Sequence, residues 1–234
     1  MPSPFSNRAR GISSLPLYCF PWHASRGTGS LFKPAAIARG LFLCPTETAL
    51  IIKAPHIVLD LETRSTQPNA IVASIGAVAI GPDLQLLPSE FHVPLAQNLQ
   101  HGRHEDPATM RWWADQTREA RDASITAAMT ATPRQALADF AAWVASVADP
   151  DEVRIWGNGS VFDNVILRSL YDMFSIVTPW HWRHDRDLRT ALDFYPGAKD
   201  VGEFVGIKHI AVDDARHEAK QLIKALTTNE WALK

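Results

Sequence analysis

Ile57-Val58-Leu59-Asp60-Leu61-Glu62-Thr63 decides how the rest of this 234-residue chain is read. Its apolar opening predicts a buried strand, and the strand ends on two carboxylates one residue apart. Side chains at i and i+2 of a strand share a face. Asp60 and Glu62 therefore lie side by side, with Leu59 and Leu61 turned the other way. Two like charges that close repel unless a cation sits between them or one of them holds a proton. A lone D-x-E more often opens a solvated loop, so the assignment turns on what else the chain offers.

Outward from this strand the pattern is mixed. Arg64 to Asn69 form a turn-rich link. Ile71 to Ile80 (IVASIGAVAI) predict a second buried strand, ended by Gly81-Pro82-Asp83. Glu90 to Leu95 predict a third, with Pro94 placing its end near a sheet edge. Short links between the three imply an antiparallel meander. Helical spacing follows. Pro107 to Trp113 start a short helix with Asp106 as N-cap and Pro107 at the first helical position. Pro133 to Val147 form a longer helix with Leu137, Phe140, Ala141, Val144 and Val147 on one face. Val153 to Trp156 predict a fourth strand, followed by a Gly157-Asn158-Gly159 turn. A helix over 161–174 then buries Phe162, Val165, Ile166, Leu170 and Phe174. Pro179 to Asp185 form a loop dense in Trp and His, Asp187 to Phe194 a short helix, and Asp213 to Leu226 the last helix. Strands first, then strand and helix in alternation, imply a mixed sheet flanked by helices, in which the strands ending at Asp60 and Trp156 can be neighbours.

Composition narrows the function classes. The chain is 46% hydrophobic with 8 Trp, as expected of a folded protein and not of a disordered one. No apolar run is long enough to span a membrane. Six of the 23 basic side chains and one of the 25 acidic ones fall in residues 1–54, which leaves the remainder with a net charge of −7. A body so acidic does not coat duplex DNA by charge alone, although bound cations can offset its carboxylates at a strand end. Residues 1–54 are punctuated by Pro, Ser and Gly and carry no chemistry of their own. They read as a disordered basic extension, and residues 229–234 as a C-terminal tail. Both cysteines, Cys19 and Cys44, lie in the extension, so no disulfide framework or cysteine-held zinc is expected, and a cytoplasmic location is the default.

Three further acids matter. Asp163 falls in a first helical turn, where an acid ordinarily complements the helix dipole. Here it stands among apolar positions, and a carboxylate near the core needs a partner. Asp213 and Asp214 precede the last helix, with His209 five residues ahead of Asp214. Alone, Asp213 would be an N-cap and His209 a loop histidine, with His217 and Glu218 solvated or paired with neighbours. Asp60, Glu62, Asp163 and Asp214 together with His209 fit a single chemistry. Phosphodiester hydrolysis activates a water on one side of phosphorus and stabilises the leaving oxygen on the other, which two divalent ions about 3.5–4 Å apart can do. Carboxylates suit Mg²⁺ or Mn²⁺, and an imidazole suits the proton of the attacking water.

Asp60-Leu61-Glu62-Thr63, Asn158-Gly159-Ser160-Val161-Phe162-Asp163 and His209-Ile210-Ala211-Val212-Asp213-Asp214 resemble, in order, the three motifs of the DEDD exonuclease superfamily. The H-x-A-x-x-D form of the last marks the DEDDh branch. Ser74 to Val78, Thr109 to Trp113, Trp156 to Gly159, Arg186 to Thr190 and Asp214 to Ala219 are similar to the phage-type 3′–5′ exonucleases, the group related to exodeoxyribonuclease VIII and to a bacterial 3′–5′ exoribonuclease. The resemblance covers about residues 55–228. It implies an α/β fold, a ribonuclease H-like mixed five-stranded sheet flanked by helices. It implies Asp60, Glu62, Asp163 and Asp214 as ligands of two divalent cations, Mg²⁺ or Mn²⁺, with Asp60 touching both, and His209 as the general base. Thr63, Asn158 and Phe162 would bind the terminal nucleotide.

The expected activity is metal-dependent 3′–5′ hydrolysis of single-stranded or frayed DNA ends to nucleoside 5′-monophosphates, with RNA as the close alternative. The expected partner is therefore a nucleic-acid 3′ end; the resemblance also allows a homodimer. Two rivals are a nucleic-acid-binding protein without catalysis, against which the complete acid set stands, and an endonuclease of the same fold, which does not need the H-x-A-x-x-D spacing. For base and phosphate contacts the chain offers Trp112, Trp113, Trp180 and Trp182 and Arg183, Arg186 and Arg189. Core packing is the expected role for Trp112 and Trp113, and ion pairing with Asp185 and Asp187 is the competing role for the arginines.

Overall fold

The strand bearing Asp60 and Glu62, β1 (His56–Thr63), is the centre of a five-stranded sheet. The computed structural model describes residues 53–128 and 130–228; residues 1–52 of the proposed basic extension and the tail 229–234 lie outside the described residues. β2 (Val72–Ile80) and β3 (Leu86–Pro94) continue on one side of β1 as the expected antiparallel meander. β4 (Arg154–Gly157) and β5 (Asp185–Asp187) lie on the other side, parallel to it, giving the order β3-β2-β1-β4-β5.

The helices are α1 (Pro107–Ala114), α2 (Arg118–Ser124), α3 (Pro133–Val147), α4 (Asp163–Met173), α5 (Leu188–Phe194) and α6 (Ala211–Thr227). The alternation of β1 divides the core in two. Ile57, Leu59 and Leu61 face a layer that holds Leu137 and Phe140 of α3 and Ile166 and Leu170 of α4. Val58 faces the opposite layer, with Leu188 of α5 and Ala215, Ala219 and Leu222 of α6. Asp60 and Glu62 share the face of Val58 and therefore open toward α6.

Several elements depart from the sequence expectation. β3 begins at Leu86, four residues before Glu90, because the chain reverses in a tight turn at 81–85, with the Gly81 N–H on the Gln85 carbonyl (2.8 Å), and Leu86 pairs with Ile80. Pro88 does not break the strand, since β3 is at the sheet edge. α2 has too few apolar residues to show a stripe; it is set by its N-cap Thr117, whose hydroxyl accepts from the Ala120 N–H. On α4 the buried side is Asp163, Asn164, Ile166, Leu167, Leu170 and Tyr171, whereas Val165 is 38% exposed. Phe162 and Phe174 flank that helix as its caps. The last helix starts at Ala211 with Ile210 as N-cap, so Asp213 is a first-turn residue; it accepts from the Ile207 N–H (2.8 Å) and pairs with Arg216 (2.6 Å). Part of the loop expected over 179–185 becomes the edge strand β5, through Asp185.

Two glycines let helices approach the sheet closely enough to build a site. At Gly76, the β2 partner of Asp60, an added Cβ would fall inside the backbone of Ala211 and Val212, at the start of α6. At Gly157, the end of β4, a Cβ would meet Asn164 Oδ1 at 2.5 Å and Asp163 Cβ at 2.8 Å. Gly76→Ala must therefore push the start of α6 away from β1. Overpacking of this kind costs about 1–3 kcal/mol, and a displacement near 1 Å at a reacting centre costs about 10²-fold in rate. Urea unfolding and turnover measured on the same preparation check both effects; an unchanged rate would mean that α6 is not seated there.

Candidate active site

The end of β1 gathers its partners through backbone bonds. The last β1–β4 pair is Leu59 with Gly157, and beyond it the Leu61 N–H donates to Asp163 Oδ1 (3.2 Å). Asp163 is the first residue of α4 and only 2% exposed. From the other side, α6 carries Asp214 in its first turn. Asp214 Oδ2 accepts from the His209 N–H (2.6 Å), which ties the loop before the helix to the helix itself. Glu62, His209 and Asp214 offer ligand atoms that all lie within 4.8 Å of one another.

His209 has a left-handed backbone, φ +68°, a conformation that side-chain-bearing residues rarely adopt. It is held at three points. Its N–H is on Asp214, its carbonyl accepts from Ser124 Oγ (2.7 Å), and its ring lies edge-on to Trp112 with centroids 4.8 Å apart. Ser124 closes α2, the helix without a sequence stripe, so its positioning role was not legible there. Trp113 is buried, and its indole N–H donates to the Thr63 carbonyl (2.9 Å), docking α1 on the end of β1.

Trp112, expected in the core with Trp113, is instead 44% exposed. It lines an open cavity of about 460 Å³ together with Glu62, Thr63, Thr109, Trp113 and Phe162. Thr63 and Phe162 are thus in that cavity. Asn158 is not among its lining residues; its side-chain amide donates to Glu218 Oε1 (2.8 Å). Glu218, expected to be solvated or paired with neighbours, is buried and takes that amide as its partner. One sequence signal could have found it: Glu218 stands four residues after Asp214, on the same helix face.

The loop arginines do not pair with the neighbouring acids. Asp185 binds Arg168 (2.7 Å), and Asp187 caps α5 through Thr190 while also accepting from the Ser160 N–H (2.6 Å). Arg189 reaches the Asn158 carbonyl (2.8 Å), and Arg186 donates to the carbonyls of Arg183 and Asp185. Trp180 is buried, whereas Trp182 is exposed beneath the Arg183 guanidinium.

Crowding dominates the electrostatics. Burial, and then the charges of Glu218, Glu62, Asp163 and Asp214, raise Asp60 well above the carboxylate range. Burial, with Asp214 and Asp163 behind it, pushes Glu62 up to about 8. Asp163 is raised by burial to about 7 against the opposing pull of backbone N–H donors, Leu61 first. Asp214 is raised by burial, opposed by its bond from His209.

An all-oxygen donor set that resists ionisation for want of countercharge fits a hard divalent cation. Between about pH 4, where the carboxyl groups of an unfolded chain ionise, and these raised values, the folded chain retains protons that the unfolded chain has released, so stability falls as pH rises. Without divalent ions the unfolding temperature should decline from about pH 5 to about pH 8.5, through the range in which Asp163 and Glu62 ionise. Saturating Mn²⁺ should flatten the profile, since a ligand that binds only the folded state at 100 times its Kd adds about 2.7 kcal/mol. Scanning calorimetry in EDTA and in Mn²⁺ reads both curves, and two parallel curves would count against cation binding at the cluster.

A mixed five-stranded sheet in this order, flanked by helices, is the ribonuclease H-like fold, that of exonuclease I. The family model of the Rv2179c-like 3′–5′ exoribonuclease domain matches residues 55–226, and the chain belongs to that family of hydrolases. Among solved structures it is similar to Escherichia coli exonuclease I in complex with a dA16 oligonucleotide, at 18% identity and a TM-score of 0.52, over 76% of this chain and 42% of that one. The complex of the same enzyme with a 5cy-dT13 oligonucleotide gives 19% identity and a TM-score of 0.51, over 77% and 42%. The chain thus spans about two fifths of the exonuclease I chains it matches, and at these identities the likeness is one of fold. No match is found among the curated proteins.

Among the described residues, no helix is long and apolar enough to cross a membrane.

Proposed function

We propose that residues 55–228 form a 3′–5′ exonuclease domain that removes nucleoside 5′-monophosphates from single-stranded 3′ ends, between a basic extension and a short tail. The observation that carries this reading is the meeting of acids from three distant segments beside an aromatic cavity. Asp60, Glu62, Asp163 and Asp214 would hold two divalent cations, Mg²⁺ or Mn²⁺. Bound there, such ions neutralise the phosphate and acidify a water.

The chain's own residues do the rest. Trp112 and Phe162 offer faces against which a terminal base can stack, and Thr63 meets the nucleotide at the end of β1. His209 accepts the proton of the attacking water as its oxygen bonds to phosphorus. The bond from phosphorus to the preceding 3′ oxygen breaks, that oxygen takes a proton from solvent to become the new 3′-OH, and the nucleotide leaves as its 5′-monophosphate. A cytoplasmic setting suits a domain without cysteine.

The sequence alone leans toward DNA, on its phage-type resemblance. The description of the family as exoribonuclease favours RNA, and RNA is the substrate proposed here. One or two contacts to the 2′-OH can separate the two. Digestion of 5′-labelled single-stranded RNA and DNA with Mg²⁺ or Mn²⁺ tests the proposal. A ladder shortening from the 3′ end, faster on RNA, is expected. Internal cuts would make the domain an endonuclease, and tight binding without cleavage a binding module.

A further inference from the structure

Glu218 takes no part in the reaction above, yet nothing about its position suits a surface residue. It lies one turn beyond Asp214 on α6, and residues four apart share a helix face, so the two carboxylates look toward the same end of β1. Its side chain is only 7% exposed. Oε1 accepts from Asn158 Nδ2 at 2.8 Å, while Oε2 is enclosed and has no hydrogen-bond partner. Among the described residues no Lys or Arg forms an ion pair with it. Arg216, two residues earlier, is committed to Glu90 (2.7 and 2.8 Å) and Asp213 (2.6 Å). A carboxylate oxygen buried without donor or countercharge is expensive. The Asn158 amide also fixes the carboxylate's orientation, leaving the free oxygen no easy turn toward solvent.

The surroundings say what would relieve it. After burial, Glu218 is the strongest influence on Asp60, ahead of Glu62, Asp163 and Asp214. Its own neighbours in charge are Asp163, Asp214 and Glu62. The charges that act most strongly on it are thus all acidic, and the Asn158 amide is the donor that holds it. We propose that Glu218 is a fifth carboxylate of the cation centre, its free Oε2 ligating the divalent ion that Asp60 holds. This rests on the two-cation reading of the site and deepens it. Mg²⁺ and Mn²⁺ at such centres usually keep several waters and lean on substrate phosphate for retention. A fifth protein carboxylate replaces one of those waters, so the ion is held before any nucleic acid arrives.

Mn²⁺ titration of the full chain without nucleic acid tests this, with free ion counted by electron paramagnetic resonance. The wild type, Glu218→Gln and Glu218→Asp are compared at one pH. Glu218→Gln keeps an acceptor for Asn158 and removes the charge; it should bind one Mn²⁺ about 10–100-fold more weakly than wild type. Glu218→Asp keeps the charge but withdraws it by a methylene, and should show an intermediate loss. Wild-type affinity in Glu218→Gln overturns the proposal. Wild-type affinity in Glu218→Asp alone also overturns it, since the charge would then act at a distance and not as a ligand. A wild type that binds no Mn²⁺ overturns the two-cation reading itself, an outcome recognisable without either variant. Glu218→Gln should unfold, metal-free, at or above the wild-type temperature, having lost one of several crowded like charges. If it unfolds lower, the comparison with Glu218→Asp decides.

Discussion

Asp60→Asn should lower turnover by at least about 10³-fold while leaving the metal-free fold as stable as the wild type or more so. The two effects have one origin. Asp60 stands among Glu218, Glu62, Asp163 and Asp214, and in the apo chain its charge is opposed by burial and by each of them. Neutralising it by an isosteric amide removes part of that repulsion, on the order of 1–3 kcal/mol. The same change would withdraw a carboxylate proposed to hold the cations, and with it preorganised charge that the reacting phosphate needs. Rates on a labelled oligonucleotide, Mn²⁺ affinity and thermal unfolding in EDTA form one set of measurements. Loss of rate accompanied by loss of metal-free stability would mean that Asp60 is a structural residue, and would remove it from the catalytic group.

His209→Ala should slow turnover by about 10²–10⁴-fold, the scale of a positioned general base, with Mn²⁺ affinity nearly unchanged. The discrimination matters because the imidazole lies near Glu62 and Asp214, where it could instead ligate an ion. As a base it contributes to the rate and not to the affinity. The variant's rate should then climb with hydroxide concentration, as free hydroxide replaces the missing imidazole. A Mn²⁺ affinity that falls in step with the rate would reassign His209 as a ligand. The backbone of His209 is consistent with a fixed position. A left-handed non-glycine conformation of this kind costs about 1–3 kcal/mol and persists only where its surroundings enforce it. Here Asp214 and Ser124 do so from either side.

What the sequence reveals and what it hides follow from how local each signal is. The buried run 57–63 and the continuous apolar stretch 71–80 carry their strands in their own residues, and the Asp106-Pro107 cap fixes the start of α1. H-x-A-x-x-D spacing singles out Asp214 over Asp213, and the latter does turn to Arg216 and the Ile207 N–H. The misses depend on tertiary partners. Trp112 and Trp113 are adjacent and alike in type, yet one is enclosed by the end of β1 and the other faces the cavity. Val165 fits an apolar stripe by spacing but lies on the outer side of α4. Glu218 has the composition of a solvent-facing position; only the seating of α6 against the sheet puts it inside. Ser124 is invisible for the same reason, since its role depends on a residue 85 positions away.

The seating of α6 on the backbone at Gly76 has a consequence for engineering. Where main chain rests on main chain, the gap between two elements is set by atoms common to every amino acid, and the large side chains further along the layers do not act as spacers there. Leu137, Phe140 or Leu222 could be exchanged for residues of comparable bulk at some loss of melting temperature, and the carboxylates would still arrive at the same separations. Tolerance to substitution should thus be broad in the interior of this domain and nearly nil at a position that bears no side chain.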